Sequence, residues 1–447
     1  MKKRLLILLP LLIIVAGLVY IGTLAPIITG YAAKNLASGI FVAGRTQESL
    51  EKEDLNFSFI KFNRNSVDYD RKEVTSRFLF WKSKAIYIDG FGCTLVRDFP
   101  EDVIRSRPYV KVPVPAGNPD TIPWPAGDLL ADTIPPGIHM DKLNQALDRA
   151  LANELPMKGT FAVAVAYRNQ LVAERYRDGF SRENLFLSWS MAKSFTNTLA
   201  GLLAYEGVLD INERVDIHQW QNDGRKEITL AHLMNMTSGL EWNEDYGSNS
   251  DVNKMLFKKG DMAGFTMEKP AEAKPDELWK YASGSTNLVC QLIRQSIGDD
   301  RDYYAFPREA LFNRIGMRSA IFETDPAGNF VGSSYVYATM RDYVRYGLLY
   351  LNDGNWLGEQ ILPEGWVDFT VLPASDSDGQ YGAFFWLNRD NSYPGVPADM
   401  FCCRGHDGQY IYIIPSLELV VVRTGFSKEG EFDLQAFLRS VVEAVGN

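Results

Sequence analysis

The stretch SWSMAKSFTNTLAGLLAYEG, residues 188–207, reads as a helix from Ser190 to Glu206 that stops at Gly207, glycine being a common helix-terminating residue. Ser190 and Lys193 stand three apart in its first turn. Residues at i and i+3 of a helix are neighbours, about 5–6 Å apart at Cβ, so a proton could pass from the serine hydroxyl to the lysine amine. Two readings are open: a solvated first turn, or a nucleophile with its base. The second requires a neutral lysine, which burial and the positive end of the helix dipole both favour. The same first turn offers unpaired backbone N–H groups to a developing oxyanion. Ser58 and Lys61 repeat the spacing, but the alternation in LNFSFIKFN predicts a strand, which would put the two side chains on opposite faces.

Two further segments bear on the choice. In KPDELWKYASGSTNLVCQLI, Tyr281 and Ser283 follow a proline-containing turn and precede an apolar helical run. A serine–lysine pair needs a group to protonate the leaving atom, and a tyrosine beside a cation can relay that proton; a half-buried core aromatic is the bland alternative. Tyr246-Gly247-Ser248 repeats the pattern in a polar loop and is set aside. In CCRGHDGQYIYIIP, glycines flank His406-Asp407 next to a strand, a tight backbone that a ligand can approach closely. His406 could equally be a structural histidine.

Ser190-x-x-Lys193, Tyr281-x-Ser283 and His406-x-Gly408, in this order, resemble the serine beta-lactamase/penicillin-binding superfamily, in particular its class C-like hydrolase branch. Within that branch the chain looks most like 6-aminohexanoate-oligomer hydrolases and related esterases. The strings SWSMAKSFTNTLAG, ITLAHLMNMTSGL, YVYATMRDYVRYGLLYLNDG and GHDGQYIYIIPSLELVVV carry the likeness, which covers about residues 139–447. It implies Ser190 as acyl-forming nucleophile, Lys193 as its base partner and Tyr281 as proton shuttle. Ser283 stands where many relatives have asparagine. The backbone N–H groups of Ser190 and Gln409 would form the oxyanion hole, with Ser283, His406 and Gly408 lining the substrate site. The implied reaction is acyl transfer to water through a covalent acyl-enzyme, with no metal and no cofactor. Beta-lactamases of this branch carry Lys-Thr-Gly at the third motif, where this chain has His406-Asp407-Gly408; Arg423-Thr424-Gly425 looks similar but falls at the end of the last strand. An acid beside the site disfavours a carboxylate ligand, so linear amides, small esters or peptide-like molecules are the expected substrates. A D-alanyl-D-alanine carboxypeptidase or penicillin-binding protein, and a non-catalytic binding protein of the same fold, are the alternatives.

The rest of the chain sets bounds. At 447 residues with 46% hydrophobic and 23% charged residues it is an ordinary globular sequence, and a net charge of -10 with no basic cluster beyond the N-terminus argues against nucleic acid. There is no G-x-S-x-G elbow, and no H-x-x-x-H pair among His139, His218, His232 and His406. The four cysteines, Cys93, Cys290, Cys402 and Cys403, form no C-x-x-C pair. They read as buried hydrophobes, or as a disulfide between Cys93 and one of the adjacent pair. The oligomeric state is left open by the sequence.

Residues 1–34 open with Lys2, Lys3 and Arg4, followed by an uncharged run from Leu5 to Ala33. Its length fits a transmembrane anchor of about 20 residues better than a signal peptide cleaved after Gly30-x-Ala32, and the flanking charge predicts the remainder outside the cytoplasm, the periplasm in a bacterium. Residues 35–106 have a β-rich texture; 107–138, with eight prolines from 107 to 137, read as an extended connector. From His139 the pattern is helix, hairpin, a mostly helical insertion over about 208–330 that includes a helix from Ile228 to Gly239, a second hairpin turning at Pro415-Ser416, and a final helix. The expected class is α+β: an antiparallel beta-lactamase-like sheet flanked by terminal helices, with an inserted helical domain and an N-terminal transmembrane helix.

Overall fold

The apolar N-terminal run is a helix whose part from Ala25 onward is packed against protein. The computed structural model describes residues 2–445, with side chains from Gly17 onward, and α1 spans Lys2–Phe41. From Ala25 to Ala37 its residues Ala25, Ile28, Ala32, Ala33, Leu36 and Ala37 are buried. They lie on an antiparallel four-stranded sheet, β1 (Arg64–Asp68), β2 (Glu73–Phe78), β3 (Trp81–Ile88) and β4 (Gly92–Leu95), ordered 1-2-3-4. Thr29 hydrogen-bonds Ser83 of β3, and buried Lys34 donates to Ser38 Oγ one turn on at 2.9 Å. A Cβ on Gly30 would stand 2.8 Å from the Phe257 carbonyl oxygen, which explains the glycine there. Among the described residues no helix is long and apolar enough to cross a membrane. The expected transmembrane anchor is therefore overturned, and the membrane contact and the location outside the cytoplasm that rested on it fall with it. The physical reason is that from Ala25 onward the apolar residues expected to meet lipid are buried, where α1 packs on the four-stranded sheet. The side chains of Lys2, Lys3 and Arg4 lie outside the described residues.

The chain forms two compact units, 1–107 with 243–262 and 325–328, and 108–242 with 263–324 and 329–447. The second holds the candidate site. Its six-stranded antiparallel sheet is built from β5 (Thr160–Tyr167), β6 (Gln170–Tyr176), β7 (Trp386–Leu387), β8 (Phe401–Gly405), β9 (Gln409–Ile414) and β10 (Leu419–Gly425), in the order 7-8-9-10-5-6. The chain leaves the sheet after Tyr176 and returns at Trp386. Alternation along β9 divides the two faces. Tyr410, Tyr412 and Ile414 join the core beneath the helices Met140–Leu151 and Leu434–Val445, whereas Ile411 and Val420 meet the helix Met340–Leu351 at Gly347, where any Cβ would stand 2.6 Å from Val420 Cγ1. The expected helix, hairpins and terminal helix are all present.

The proline-rich segment is pinned rather than free. Arg345 donates to the carbonyls of Pro125 and Gly127 at 2.8 and 2.6 Å and to Asp128 at 2.6 Å, and its guanidinium lies over the Trp124 ring. Two local expectations fail. The helix over 228–239 is only Leu230–Met234, because Met236 takes a left-handed conformation (φ 63°) and turns its carbonyl to the Lys280 N–H and its sulfur to the Ala282 N–H. Ser58 and Lys61 lie at a 3₁₀ turn, not a strand, and both are exposed. All four cysteines are buried and none is in a disulfide, so the disulfide alternative is not taken; burial pushes the Cys402 thiol up to about 12.

Candidate active site

Ser190 lies in a 3₁₀ turn, Trp189–Met191, that runs directly into the helix Ala192–Tyr205. This keeps Ser190 and Lys193 on one side of a continuous right-handed turn. Trp189 adopts φ 45°, a left-handed conformation that costs a bulky residue of order 1–3 kcal/mol. The neighbouring Ser188 is fixed by a strand-like exchange: its N–H donates to Val336 O at 2.8 Å, and its hydroxyl accepts from Val336 N–H at 3.0 Å. Strain held this firmly just before a serine is a feature of functional turns.

Lys193 is 1% exposed and Ser190 8%. Lys193 Nζ lies 2.9 Å from Ser190 Oγ, 3.0 Å from Ser283 Oγ and 3.0 Å from the Ser333 carbonyl oxygen, and 4.8 Å from the centroid of the Tyr281 ring. Ser283 is the first residue of the helix Ser283–Ile297, with Tyr281 in the extended segment before it. The pair expected from the first motif and the pair expected from the second thus meet at one buried nitrogen. Ser333 was not foreseen, since a backbone carbonyl leaves no mark in a sequence.

The third motif reaches the same turn. Gly405 closes β8 against Ser188: a Cβ there would stand 2.2 Å from the Ser188 carbonyl oxygen. The His406 ring meets Trp189 edge-on, centroids 5.6 Å apart. Asp407 and Gly408 both have positive φ, 57° and 90°, forming the tight turn into β9. The turn is held from below by Arg423, whose Nη1 donates to Gly408 O at 2.6 Å, and by Ser427 N–H on Asp407 O at 3.0 Å. Arg423 is buried under Phe432 with Thr160 Oγ1 as a further acceptor, so Arg423-Thr424-Gly425 supports the third motif without duplicating it. The Gln409 side chain is spent on Gly425 O, at 2.6 Å, and Gly425 N–H, at 3.0 Å. The side chain is therefore committed to the fold and not to a substrate. Burial pushes the Asp407 carboxyl up to about 7, against the pull of Lys428 and Arg423 and with Glu431 adding to the rise.

One wall of this site was missed by sequence reasoning. Trp279, Tyr281, Tyr381 and Trp386 form a four-ring cluster, with Tyr281 at 5.3 Å from Trp386 and 5.7 Å from Tyr381. Trp386 lies at the sheet edge a hundred residues from Tyr281, so no local pattern could have linked them. Among the described residues no group of His, Cys, Asp or Glu could hold a metal ion.

Replacing Gly405 by alanine is expected to push β8 off Ser188. A melting curve should register a loss of about 1–3 kcal/mol, with slower modification of Ser190; an unchanged melt would mean that the contact relaxes freely.

The family profile described as Beta-lactamase matches residues 151–436. A 6-aminohexanoate-dimer hydrolase of Paenarthrobacter ureafaciens is 23% identical over 316 residues, spanning 64% of this chain and 78% of that protein. A solved structure titled as a candidate 6-aminohexanoate-dimer hydrolase from Bacillus anthracis is 25% identical with a TM-score of 0.54, over 68% of this chain and 80% of its own. The structure of a family VIII carboxylesterase shares the fold at 16% identity and a TM-score of 0.53, over 69% of this chain and 98% of its own. The matched profile takes in the whole stretch from Thr160 to Gly425 that brings Ser190, Lys193, Tyr281 and His406 into one site, and the chain belongs to the beta-lactamase family as one of its hydrolases.

Proposed function

We propose that this protein hydrolyses linear amide or ester bonds through an acyl-enzyme on Ser190. The observation that carries the reading is the buried contact of 2.9 Å between Lys193 Nζ and Ser190 Oγ. A neutral amine has two N–H donors and one lone pair. The Ser333 carbonyl can only accept, so it takes one N–H; the Ser283 hydroxyl can take the second; the lone pair is then left for the Ser190 O–H. Ser190 Oγ attacks the substrate carbonyl as its proton passes to Lys193 Nζ, and the C–O bond forms while the carbonyl becomes an oxyanion. The backbone N–H groups of Ser190 and Gln409 stabilise that oxyanion. The proton moves from Lys193 through the Tyr281 phenol to the leaving nitrogen or oxygen, and the C–N or C–O bond breaks. Water then attacks the acyl-enzyme by the same route in reverse.

The choice of linear amides and esters rests on the third motif, where His406-Asp407 replaces a lysine-centred carboxylate site, and on the similarity to a 6-aminohexanoate-dimer hydrolase. Treatment with a fluorophosphonate probe, followed by mass spectrometry of the digested protein, is expected to place one adduct on Ser190 that is absent from Ser190→Ala. A long-lived penicillin adduct on Ser190 would favour a penicillin-binding role; no adduct from either reagent on folded protein would end the hydrolase reading.

A further inference from the structure

The Ser333 carbonyl that receives Lys193 is itself held in place. The N–H of the same residue donates to Asn287 Oδ1 at 3.0 Å. Asn287 is buried, four residues after Ser283 on the helix Ser283–Ile297, and residues at i and i+4 share a helix face. One helix face therefore grips the amine twice: through Ser283 Oγ directly, and through Asn287 by way of the Ser333 residue. We infer that Asn287 is a positioning residue for Lys193, fixing the Ser333 carbonyl so that it takes one N–H of the amine and leaves the lone pair aimed at Ser190. The inference rests on the assignment of Lys193 as the base of Ser190.

The amide suits the role because it accepts the Ser333 N–H without bringing charge. An aspartate has the same shape and could accept the same hydrogen bond, but a carboxylate one residue away from the amine favours the ammonium, which cannot take the serine proton. The titratable neighbour on the other side of the amine, Tyr281, is common to every variant compared. The helix also supplies a control: Thr286, next to Asn287, has a buried hydroxyl with no hydrogen-bond partner, so Thr286→Val perturbs the helix without touching the Lys193 network.

The test is the second-order rate of Ser190 modification by a fluorophosphonate, measured from pH 6 to 10. Asn287→Asp is expected to move the acid limb of the profile upward by about one pH unit or more, reacting about tenfold slower at pH 7 and recovering towards pH 10. Asn287→Ala should react about 10- to 100-fold slower across the range, and Thr286→Val as the parent does. Should Asn287→Asp fail to fold, the alanine variant against Thr286→Val decides the matter. Parent-like rates and profiles in folded Asn287 variants would overturn the inference while leaving Ser190 as nucleophile. Failure of the parent protein itself to label at Ser190 would instead remove the functional reading beneath it.

Discussion

Lys193→Met is expected to lower the hydrolysis of p-nitrophenyl butyrate by about 10³–10⁴-fold, to nearly the level of Ser190→Ala. Methionine fills a similar volume and keeps the helix intact, but it has no lone pair able to take the Ser190 proton. The loss should fall on kcat with little change in KM, since the side chain acts on the reacting serine and the substrate contacts are left in place. Two features sharpen the expectation. The lysine is 1% exposed, so water has no ready path to replace it as base, and the double variant should be no worse than either single one, because residues acting as one unit are not additive. Stability should move little by comparison: the buried Ser333 carbonyl and Ser283 hydroxyl lose the amine as donor, a cost of about 1–3 kcal/mol offset in part by no longer burying the amine, and a cooperative melt within that range would separate lost chemistry from lost fold. A Lys193→Met protein that keeps a tenth or more of the parent's rate would remove the lysine from the mechanism.

How much of this was readable beforehand depends on the range of the interactions involved. Ser190 and Lys193 were legible because helical period alone makes them neighbours, and the final hairpin was legible because Val and Ile runs bracket Pro415-Ser416. The meeting of Tyr281 and Ser283 with Lys193 came through a family likeness; no local rule predicts it. The N-terminal helix was misread for a physical reason. A helix buried under a sheet and a helix buried in lipid have the same apolar composition, and what separates them, the packing of β2 and β3 on α1, is written some forty residues downstream. Lys34 was the available hint, a charge that should have ended an anchor yet sits inside a helix continuing to Phe41. The shortened helix at Leu230–Met234 has the same origin: Met236 leaves the helix to meet Lys280 and Ala282, partners no sequence window contains. Ser333 and Asn287 were invisible because one contributes a carbonyl and the other binds an amide.

Asp407→Asn should make the protein more stable at high pH, and only there. The Asp407 side chain is 8% exposed, and burial, opposed by Lys428 and Arg423 and reinforced by Glu431, raises its carboxyl from 3.8 to about 7. A folded state that holds this proton more tightly than the unfolded chain loses stability as pH rises through that window, from about 4 to about 7, and stays lower above it. The full displacement corresponds to roughly 4 kcal/mol as an upper bound. Asparagine removes the penalty but also takes a favourable charge away from buried Arg423, itself pushed down to about 10 by desolvation, so a gain of about 2 kcal/mol at pH 9 is the expected result. Urea unfolding at pH 4, 6 and 9 reads it directly: the two proteins should coincide at pH 4 and diverge upward. The turn itself should survive, because asparagine tolerates the left-handed conformation as well as aspartate does, and its backbone is held by Arg423 on Gly408 O and by Ser427 N–H on Asp407 O. Labelling of Ser190 should accordingly be unchanged at pH 9. Parallel unfolding curves across the whole range would mean that the Asp407 carboxyl titrates alike in the folded and unfolded chain; a stability gain accompanied by lost labelling would mean instead that the acid, and the contact it makes with His406 Nε2 at 3.3 Å, belongs to the reacting site and is kept there at the expense of stability.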